Sequence, residues 1–366
     1  MITTILTWLF IISAIIQLLV WIGIYLPFAL YREPKRVENE VNKVSIVIAA
    51  RNESNNLVKY LPRILNQNYR SFEIVIANDN STDDTDKIIS NFTTDYSNIR
   101  VVDIERKLAQ FPGKKHALTK AIETVQNEVL LFTDADCEPA SANWLGKMQS
   151  LITTTHTVGL GYSPFKKLPG FLNAWVRFEG VYTAIQYFSL ALRGLPYMGV
   201  GRNLIYKKNL FSKADGFASH QDILSGDDDL FINQVANKDN TVITLDPKTF
   251  VYTDSATDWS TYWKQKRRHV STGSKYQFHH QIILGLVTLS HVIFHLGGFV
   301  LIFSTEFAAF FFAGRFLIVV PIYGLILKKL KQVDLLILIP LLDVLLSIYY
   351  LILSPAVIFN QTQKWK

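Results

Sequence analysis

Four long stretches of the chain are almost purely apolar, one near the start and three at the end. The first covers residues 5–30 and contains no charged residue, and the others cover about residues 282–303, 307–327 and 333–359. A helix of about 20 apolar residues spans the hydrocarbon core of a bilayer, whereas the core of a signal peptide is shorter. We therefore predict one transmembrane helix within residues 1–36 and three within residues 282–366.

Between these spans, short β-branched runs alternate with segments of helical periodicity. The runs are KVSIVIAA, FEIVIAN, IRVVDI and EVLLFTD, and helical spacing is clearest over residues 54–67 and 113–125. Such alternation predicts right-handed βαβ units and an α/β fold with a mostly parallel sheet. We assign residues 37–259 to one domain and residues 260–281 to a segment along the membrane surface.

Polar residues are concentrated directly after the predicted strands. RNESNN, NDNSTDD and DADCEP each follow a strand, and ERKLAQFPGKK follows the third one along the chain. In open parallel sheets, ligands bind outside the carboxyl ends of the strands. Asp134 and Asp136, two residues apart, are expected on one face of the strand end, where a cation would relieve their repulsion.

Composition and charge favour a membrane protein. Hydrophobic residues make up 49% of the chain and charged residues 18%. Arg32, Lys35 and Arg36 follow the first span, and the basic segment KKLKQ separates the last two spans. The positive-inside rule therefore places these two basic segments and the middle domain in the cytoplasm. Both chain termini are then expected on the opposite side of the membrane. Anionic headgroups explain the net charge of +7 better than nucleic acid does. The single cysteine, Cys137, excludes an internal disulfide.

An aromatic stripe follows Pro139, where the alternation of strands and helices weakens. Phe171, Trp175, Phe178 and Tyr182 recur at helical spacing. The stripe is interpreted equally well as a core-packing face or as a helix at the membrane interface.

Two charged residues and two histidines lie well inside the predicted spans. Arg315 and Asp343 lie near the middle of antiparallel helices, and an unpaired charge there costs several kcal/mol, so we predict an ion pair. His291 and His295 lie one helical turn apart; without a third ligand in view, we interpret them as polar residues facing the bundle.

Six motifs in order resemble a known family. VSIVIAARNES, EIVIANDNSTDDT, FPGKKHAL, LLFTDADCEP, SGDDDLF and QKRRH together resemble the family 2 glycosyltransferases of the GT-A fold, in the membrane-bound branch with cellulose and hyaluronan synthases and ceramide glucosyltransferase. The resemblance covers roughly residues 44–273. A lone D-x-D motif is weak evidence for membership of a family, whereas six motifs in the same order are specific evidence.

The resemblance implies a nucleotide-sugar site with Mg²⁺ or Mn²⁺ as cofactor. Asp134 would face the ribose or sugar, and Asp136 would ligate the metal at the diphosphate. Asp79 would accept a hydrogen bond from a uracil ring. Glu53 would face the nucleotide, with helix N-capping as its competing role. Lys114 would offer the donor a cation, although a lysine at a helix start is otherwise usually solvated.

Two residues beside Asp79 depart from the family pattern V-D-D-G-S. Asn78 stands at the first acid and Asn80 at the glycine. Asparagine tolerates the left-handed backbone conformation, so we expect the turn to be retained.

The resemblance places the general base in the GDDDLF segment. Matching to E-D-x-D-L makes Asp227 the base and Asp229 the trailing acid, whereas another register favours Asp228. A run of N-cap acids is the structural alternative for Asp228 or Asp229.

The segment YWKQKRRH is similar to the family's Q-x-x-R-W. Gln265 and Arg268 occupy the conserved places, and His269 stands where the family has tryptophan. Arg268 is expected to contact the departing phosphate. His269 and Trp263 are expected on the acceptor side.

The function expected is an inverting, metal-dependent transfer from a nucleotide sugar, a UDP-sugar, to a lipid or lipid-linked acceptor. The transferred group would be a hexosyl or N-acetylhexosaminyl group. One alternative is a polysaccharide synthase, since the acceptor is either a lipid or a glycan. A catalytically silent scaffold that binds nucleotide sugars is the alternative outside the enzymes.

Overall fold

The computed structural model describes residues 2–34, 36, 42–104, 113–303 and 305–359. Lys35 and residues 105–112, which include the start of the FPGKKHAL motif, lie outside the described residues. The helices are α1 (Ile2–Val20), α2 (Leu26–Leu30), α3 (Ser54–Leu65), α4 (Thr85–Asp95), α5 (Lys114–Thr124), α6 (Trp144–Gln149), α7 (Phe171–Leu192), α8 (Lys208–Lys213), α9 (Asp229–Val235), α10 (Trp259–Val270), α11 (Phe278–Val292), α12 (Gly298–Leu301), α13 (Glu306–Lys329) and α14 (Ile339–Phe359). The strands are β1 (Val44–Ala50), β2 (Phe72–Asn78), β3 (Ile99–Asp103), β4 (Val129–Phe132), β5 (Cys137–Pro139), β6 (Val158–Leu160), β7 (Leu204–Lys207), β8 (Thr241–Ile243) and β9 (Val251–Thr253).

The central sheet has seven strands in the order β3-β2-β1-β4-β7-β6-β8. β1 pairs in parallel with β2 and β4, and β2 with β3, so the predicted βαβ half is confirmed. β7 is antiparallel to both β4 and β6, and a separate two-stranded sheet joins β5 to β9. The sheet is mostly parallel, with β7 as the strand that reverses direction next to the site.

Each face of the sheet has its own apolar layer. The side chains of β1 alternate, so that Ile46 and Ile48 pack with α3, α4 and α6, while Val47 and Ala49 pack with α5 and α7. The second layer continues without interruption into the helices at the two ends of the chain. Domain and membrane helices therefore share one core.

Three of the four aromatic residues in the α7 stripe lie inside that shared core. Trp175 packs on Tyr349 of α14 with 5.5 Å between ring centroids, and Phe178 packs on Tyr323 of α13 at 6.1 Å. Trp175, Phe178 and Tyr182 are buried, whereas Phe171 at the start of α7 is 46% exposed. The interpretation as a core-packing face is therefore correct for three of the four residues, and their packing partners are the apolar helices.

Four helical segments of the described chain are long and apolar enough to cross a membrane, as predicted: Thr3–Leu30, Phe278–Leu301, Glu306–Lys329 and Val333–Ser354. Two of them contain a wider π-helical turn, at Trp21–Tyr25 and at Ile293–Gly297. A π turn misaligns the usual backbone hydrogen bonds. In the first one, the carbonyl oxygen of Gly23 accepts a hydrogen bond from Arg193 at the end of α7.

The predicted ion pair inside the bundle is confirmed. The Arg315 guanidinium donates from Nη1 to Oδ2 of Asp343 and from Nη2 to Oε1 of Gln17, the latter over 3.1 Å. Tyr323 donates to the other Asp343 oxygen over 3.2 Å. Both charged side chains are almost fully buried. Each formal charge therefore has a partner on a different helix.

Replacing Arg315 by methionine is expected to destabilise the bundle by about 3–5 kcal/mol, because Asp343 is left charged and buried without its partner. The measurement is the thermal unfolding midpoint in detergent. Lys328→Met, at the exposed end of the same helix, is the control and should change little. The exchanged pair Arg315→Asp with Asp343→Arg should recover part of the loss; no recovery would contradict the pairing.

Candidate active site

The carboxyl ends of three strands meet at one edge of the sheet. Ala50 of β1 lies opposite Asn78 of β2, and Val47 lies opposite Phe132 of β4. The segments that follow these strands carry the predicted donor-side residues. The parallel register thus brings together residues about 80 positions apart along the chain.

Asp134 and Asp136 lie in the turn between β4 and β5. The prediction that strand alternation places them side by side is wrong, because β4 already ends at Phe132. The turn still brings them close: one potential ligand atom each of Asp134, Asp136 and Cys137 lies within 4.8 Å of the other two. Burial raises the pKa of the Cys137 thiol well above its usual range, and the thiol donates to Asp136 over 3.3 Å.

The two carboxylates are suited to a hard divalent cation. Burial and the neighbouring Asp134 charge raise the pKa of Asp136. A cation between the two groups would relieve this repulsion, and carboxylate oxygens are the ligands that Mg²⁺ and Mn²⁺ prefer. The residues present therefore fit such an ion, with Cys137 supporting Asp136 rather than acting as a ligand.

Lys114 joins the acids after β4 to the acids before α9. Its Nζ lies 2.8 Å from Oδ1 of Asp134 and 3.0 Å from Oδ2 of Asp227. Burial opposes the charged forms, but the two attractions prevail, so the pKa of Lys114 is raised and that of Asp134 lowered. Asp134, Lys114 and Asp227 line one cavity with Asp228. Lys114 is therefore an internal cation of the site and not a solvated lysine.

The three consecutive aspartates have three different environments. Asp228 is the N-cap of α9: its oxygens accept from the backbone N–H of Asp229 over 2.8 Å and of Gly201 over 2.7 Å. Asp229 accepts from the hydroxyls of Thr272 and Tyr276 and so holds the segment after α10. Asp227 forms an ion pair with Lys114 over 3.0 Å and lines the cavity. Of the three aspartates, Asp228 is therefore the one with the N-cap role that was the structural alternative for this segment.

Asp228 is expected to make stability depend on pH. Burial, together with the Asp227 and Asp229 charges, raises its pKa to about 7. Since the unfolded value is near 3.9, the proton-linked stabilisation is complete below that pH and is lost as pH rises through 7. Asp228→Asn should therefore gain stability relative to the parent between pH 5 and pH 8, on the order of 2 kcal/mol.

The measurement for Asp228→Asn is the thermal midpoint at both pH values, with exposed Asp239→Asn as control. Loss of one cap hydrogen bond lowers the stability equally at pH 5 and at pH 8. The difference between the two shifts in thermal midpoint therefore reports only the effect of Asp228 protonation. Equal shifts at pH 5 and pH 8 would refute the assignment.

Asp79 lies buried behind the ends of β1 and β2. Its Oδ2 is 3.8 Å from Nη1 of Arg51, and burial raises its pKa although the nearby His116 opposes this. Asn80 adopts a φ of +50°, which confirms that asparagine supports the left-handed turn here. Asn78 donates to Asp103 over 3.1 Å at the end of β3.

Glu53 occupies the N-cap position of α3 without capping it through its side chain. Its carboxylate instead accepts from the Asn56 amide over 2.5 Å. Its charge also contributes to raising the pKa of Asp136, after burial and Asp134. The capping role is therefore not the one that the structure gives this side chain.

Helix α10 carries the Q-x-x-R-H residues. Arg268 lies close enough for its charge to lower the pKa of Asp134, although less than Lys114 does. Gln265 and His269 are exposed. Trp263 is half-buried and stacks on Tyr349 of α14, with 6.0 Å between ring centroids. The helix thus packs on the apolar bundle through Trp263 and acts on Asp134 through the charge of Arg268.

Two cationic residues near the site, Arg202 and Lys115, were not predicted from the sequence. Arg202, just before β7, stacks its guanidinium 4.9 Å from the Phe165 ring centroid and acts electrostatically on both Asp134 and Asp136. Its buried Nε has no hydrogen-bond partner among the described residues. The sequence feature that could have indicated Arg202 is an arginine directly before an apolar strand, in the segment GVGRNLIY.

Lys115 positions the loop that precedes the three aspartates. Its fully buried Nζ donates to the carbonyl oxygens of His220 over 2.6 Å and of Ile223 over 2.9 Å. Burial lowers the pKa of Lys115 to about 8. Adjacent lysines therefore have different roles, since Lys114 contacts the acids and Lys115 holds the backbone that presents one of them.

Comparison with known proteins identifies the domain. Residues 45–213 match the family model described as Glycosyl transferase family 2. The chain is similar to the beta-monoglucosyldiacylglycerol synthase of Nostoc sp., with 29% identity over 126 residues, which are 33% of this chain and 26% of the relative. It is also 33% identical over 102 residues to the teichoic acid poly(glycerol phosphate) polymerase of Staphylococcus epidermidis, covering 28% of this chain and 14% of that protein.

The chain thus spans about a quarter or less of the length of these curated relatives. A solved structure, the mannosyltransferase PcManGT from Pyrobaculum calidifontis in complex with GDP-Man and Mn²⁺, superposes with a TM-score of 0.64. The match covers 99% of this chain and 100% of that one at 14% identity, so it shows the fold. Residues 45–213 therefore belong to the family 2 glycosyltransferases, and the domain they build has the GT-A fold.

Proposed function

We propose that this protein is an integral membrane glycosyltransferase that moves a hexosyl or N-acetylhexosaminyl group from a UDP-sugar to a lipid or lipid-linked acceptor, with inversion. The observation that carries the proposal is Lys114, which contacts both Asp134 and Asp227 in one cavity. A donor-side acid and a candidate base that share one cation are close enough for the anomeric carbon and an acceptor hydroxyl to meet between them.

Asp134 and Asp136 would hold Mg²⁺ or Mn²⁺ in this enzyme. When bound, the ion stabilises the negative charge on the departing diphosphate. Three cations of the chain surround the same position, since Arg202 and Arg268 as well as Lys114 act electrostatically on Asp134. These side chains would bind and orient the diphosphate from the other sides.

Asp227 would act as the general base. It accepts the proton of the acceptor hydroxyl while the hydroxyl oxygen forms a bond to the anomeric carbon. The bond from that carbon to the diphosphate oxygen breaks, and its electron pair leaves with the nucleoside diphosphate. Attack from the side opposite the leaving group inverts the anomeric configuration, as in other single-displacement reactions.

The Lys114 contacts also imply an order of binding. The ammonium group of Lys114 lies between Asp134 and Asp227. A donor diphosphate would compete for this ammonium and draw it away from Asp227. The base would then be free to accept a proton only after the donor is bound, which limits wasteful activation of the acceptor site.

A lipid acceptor is supported by the position of α10. Trp263 stacks on a membrane-span residue, while Gln265 and His269 remain exposed on the same helix. A headgroup at the bilayer surface would thus lie beside the cavity. We place the catalytic domain in the cytoplasm on the charge asymmetry around the spans. A polymer-forming synthase is the second candidate, favoured by the similarity to the Staphylococcus epidermidis polymerase.

The test is transfer of labelled sugar by the full-length protein reconstituted with native membrane lipids. UDP-glucose, UDP-galactose and UDP-N-acetylglucosamine are supplied separately, each with and without EDTA and with Asp227→Asn as control. Label that enters the organic phase and disappears in both controls would support a metal-dependent lipid glycosyltransferase. Insoluble aqueous polymer would favour the synthase, and no metal-dependent transfer from any donor would overturn the proposal.

A further inference from the structure

Two histidines and an aspartate meet inside the apolar bundle, far along the chain from the sugar site. His291 lies on α11, His295 in the π turn that follows, and Asp343 on α14. One potential ligand atom of each lies within 4.8 Å of the other two. Their exposed fractions are 0%, 2% and 0%. Both histidines face the bundle interior as predicted, and Asp343 adds the third potential ligand that their spacing in the sequence did not reveal.

Backbone contacts define which ring nitrogens carry hydrogen. Nε2 of His291 lies 2.9 Å from the carbonyl oxygen of Asp343, and Nδ1 of His295 lies 3.0 Å from the carbonyl oxygen of His291. A carbonyl oxygen only accepts, so both of these nitrogens donate. In the neutral rings, Nδ1 of His291 and Nε2 of His295 are left as bases, and neither has a hydrogen-bond partner in the described part of the chain.

The free nitrogen of His295 faces a carboxylate. Its Nε2 lies 3.4 Å from Oδ2 of Asp343. Two atoms that both present lone pairs repel each other at this distance. Arg315 donates to the same Oδ2 and so satisfies the carboxylate, but it leaves Nε2 of His295 without a hydrogen-bond partner among the described residues. Metal-bound histidines typically donate their outer N–H to a carbonyl oxygen or a carboxylate, which is the arrangement of both rings here.

We propose that His291, His295 and Asp343 bind a divalent transition-metal ion, for which Zn²⁺ is the best match. Two imidazole nitrogens and one carboxylate oxygen are a usual donor set for Zn²⁺. Arg315 shares the Asp343 carboxylate, so the two neutral nitrogens would supply much of the binding. The π turn at Ile293–Gly297 is a further feature found frequently at functional sites.

The proposed ion would be structural, since it would connect α11 to α14 in the bundle. It is separate from the Asp134 and Asp136 carboxylates and does not depend on sugar transfer. The proposal therefore goes beyond the function inferred for the cleft, and either one can fail without the other.

The experiment measures zinc in the purified full-length protein by mass spectrometry. Asp136→Asn serves as the parent, so that the cleft carboxylates do not contribute. The protein is stripped with EDTA, loaded with Zn²⁺ and desalted. About one ion per chain is expected in this parent and in His279→Gln, a histidine variant of the same helix outside the cluster. The double variant His291→Gln, His295→Gln should retain no more than about one tenth of the zinc that its parent retains.

A second measurement covers the case in which the double variant does not fold. Zn²⁺ added to the stripped parent should raise its thermal midpoint, because an ion that binds only the folded state stabilises it by mass action. Retained zinc with this stabilisation supports the site. Zinc that is not retained by the parent, retention unchanged in a folded double variant, or no thermal stabilisation would overturn it, and a proton shared between His295 and Asp343 would then replace the metal ion.

Discussion

Asp227→Asn is expected to lower kcat for sugar transfer by about 10³-fold, since removal of a positioned general base typically costs 10²–10⁴-fold. The amide has nearly the shape of the carboxylate but cannot accept the acceptor proton. Lys114 keeps its contact with Asp134, so the donor side of the cavity should remain intact. The measurement is single-turnover transfer of labelled sugar, together with the dissociation constant of the nucleoside diphosphate, which should change little.

Two variants serve as comparisons for Asp227→Asn. Asp222→Asn replaces an exposed aspartate of the same loop and should leave kcat unchanged. Asp228→Asn removes part of the α9 cap and should reduce kcat far less than the loss at Asp227. If Asp228→Asn abolished transfer while Asp227→Asn remained active, Asp228 would be the base and the assignment made here would be wrong.

Asp136→Asn is expected to weaken Mn²⁺-dependent binding of the nucleoside diphosphate by about 100-fold or more. A metal bound by carboxylates contributes several kcal/mol to phosphate binding, and about 1.4 kcal/mol corresponds to a factor of ten. The amide oxygen is neutral and no longer compensates the divalent charge. The measurement is calorimetric titration of the diphosphate at increasing Mn²⁺ concentrations.

Glu138→Gln is the matched control for Asp136→Asn. This carboxylate lies two residues further along and contacts Lys166 over 3.0 Å, away from Asp134. Its replacement should leave the Mn²⁺ dependence as it is. An Asp136→Asn protein with unchanged Mn²⁺ dependence would mean that the ion is not held by this pair.

Much of the cleft follows from local sequence, because strand periodicity and the rule for parallel sheets depend on few residues. Val44–Ala50 and Phe72–Asn78 are strands as expected, and Asn80 has the positive φ that its position requires. The Arg315–Asp343 pair could be predicted as well, since a buried charge without a partner is too costly to persist.

Other features depend on long-range packing and could not be predicted from pattern alone. Arg202 enters the site because β7 runs antiparallel beside β4, a pairing that no periodicity indicates. Lys115 holds a loop more than 100 residues away. Trp263 stacks on a helix of the bundle, although its motif indicated only the acceptor side.

Because of the π turn at Trp21–Tyr25, the number of residues in the first span cannot change without moving the contacts of that helix. A π turn is equivalent to one residue inserted into an α-helix, and one residue turns a helix by about 100°. Deleting any residue of this turn would rotate the preceding half of the helix, move Gln17 away from Arg315, and remove the Gly23 carbonyl from Arg193. A generic membrane anchor of the same hydropathy therefore could not replace this helix.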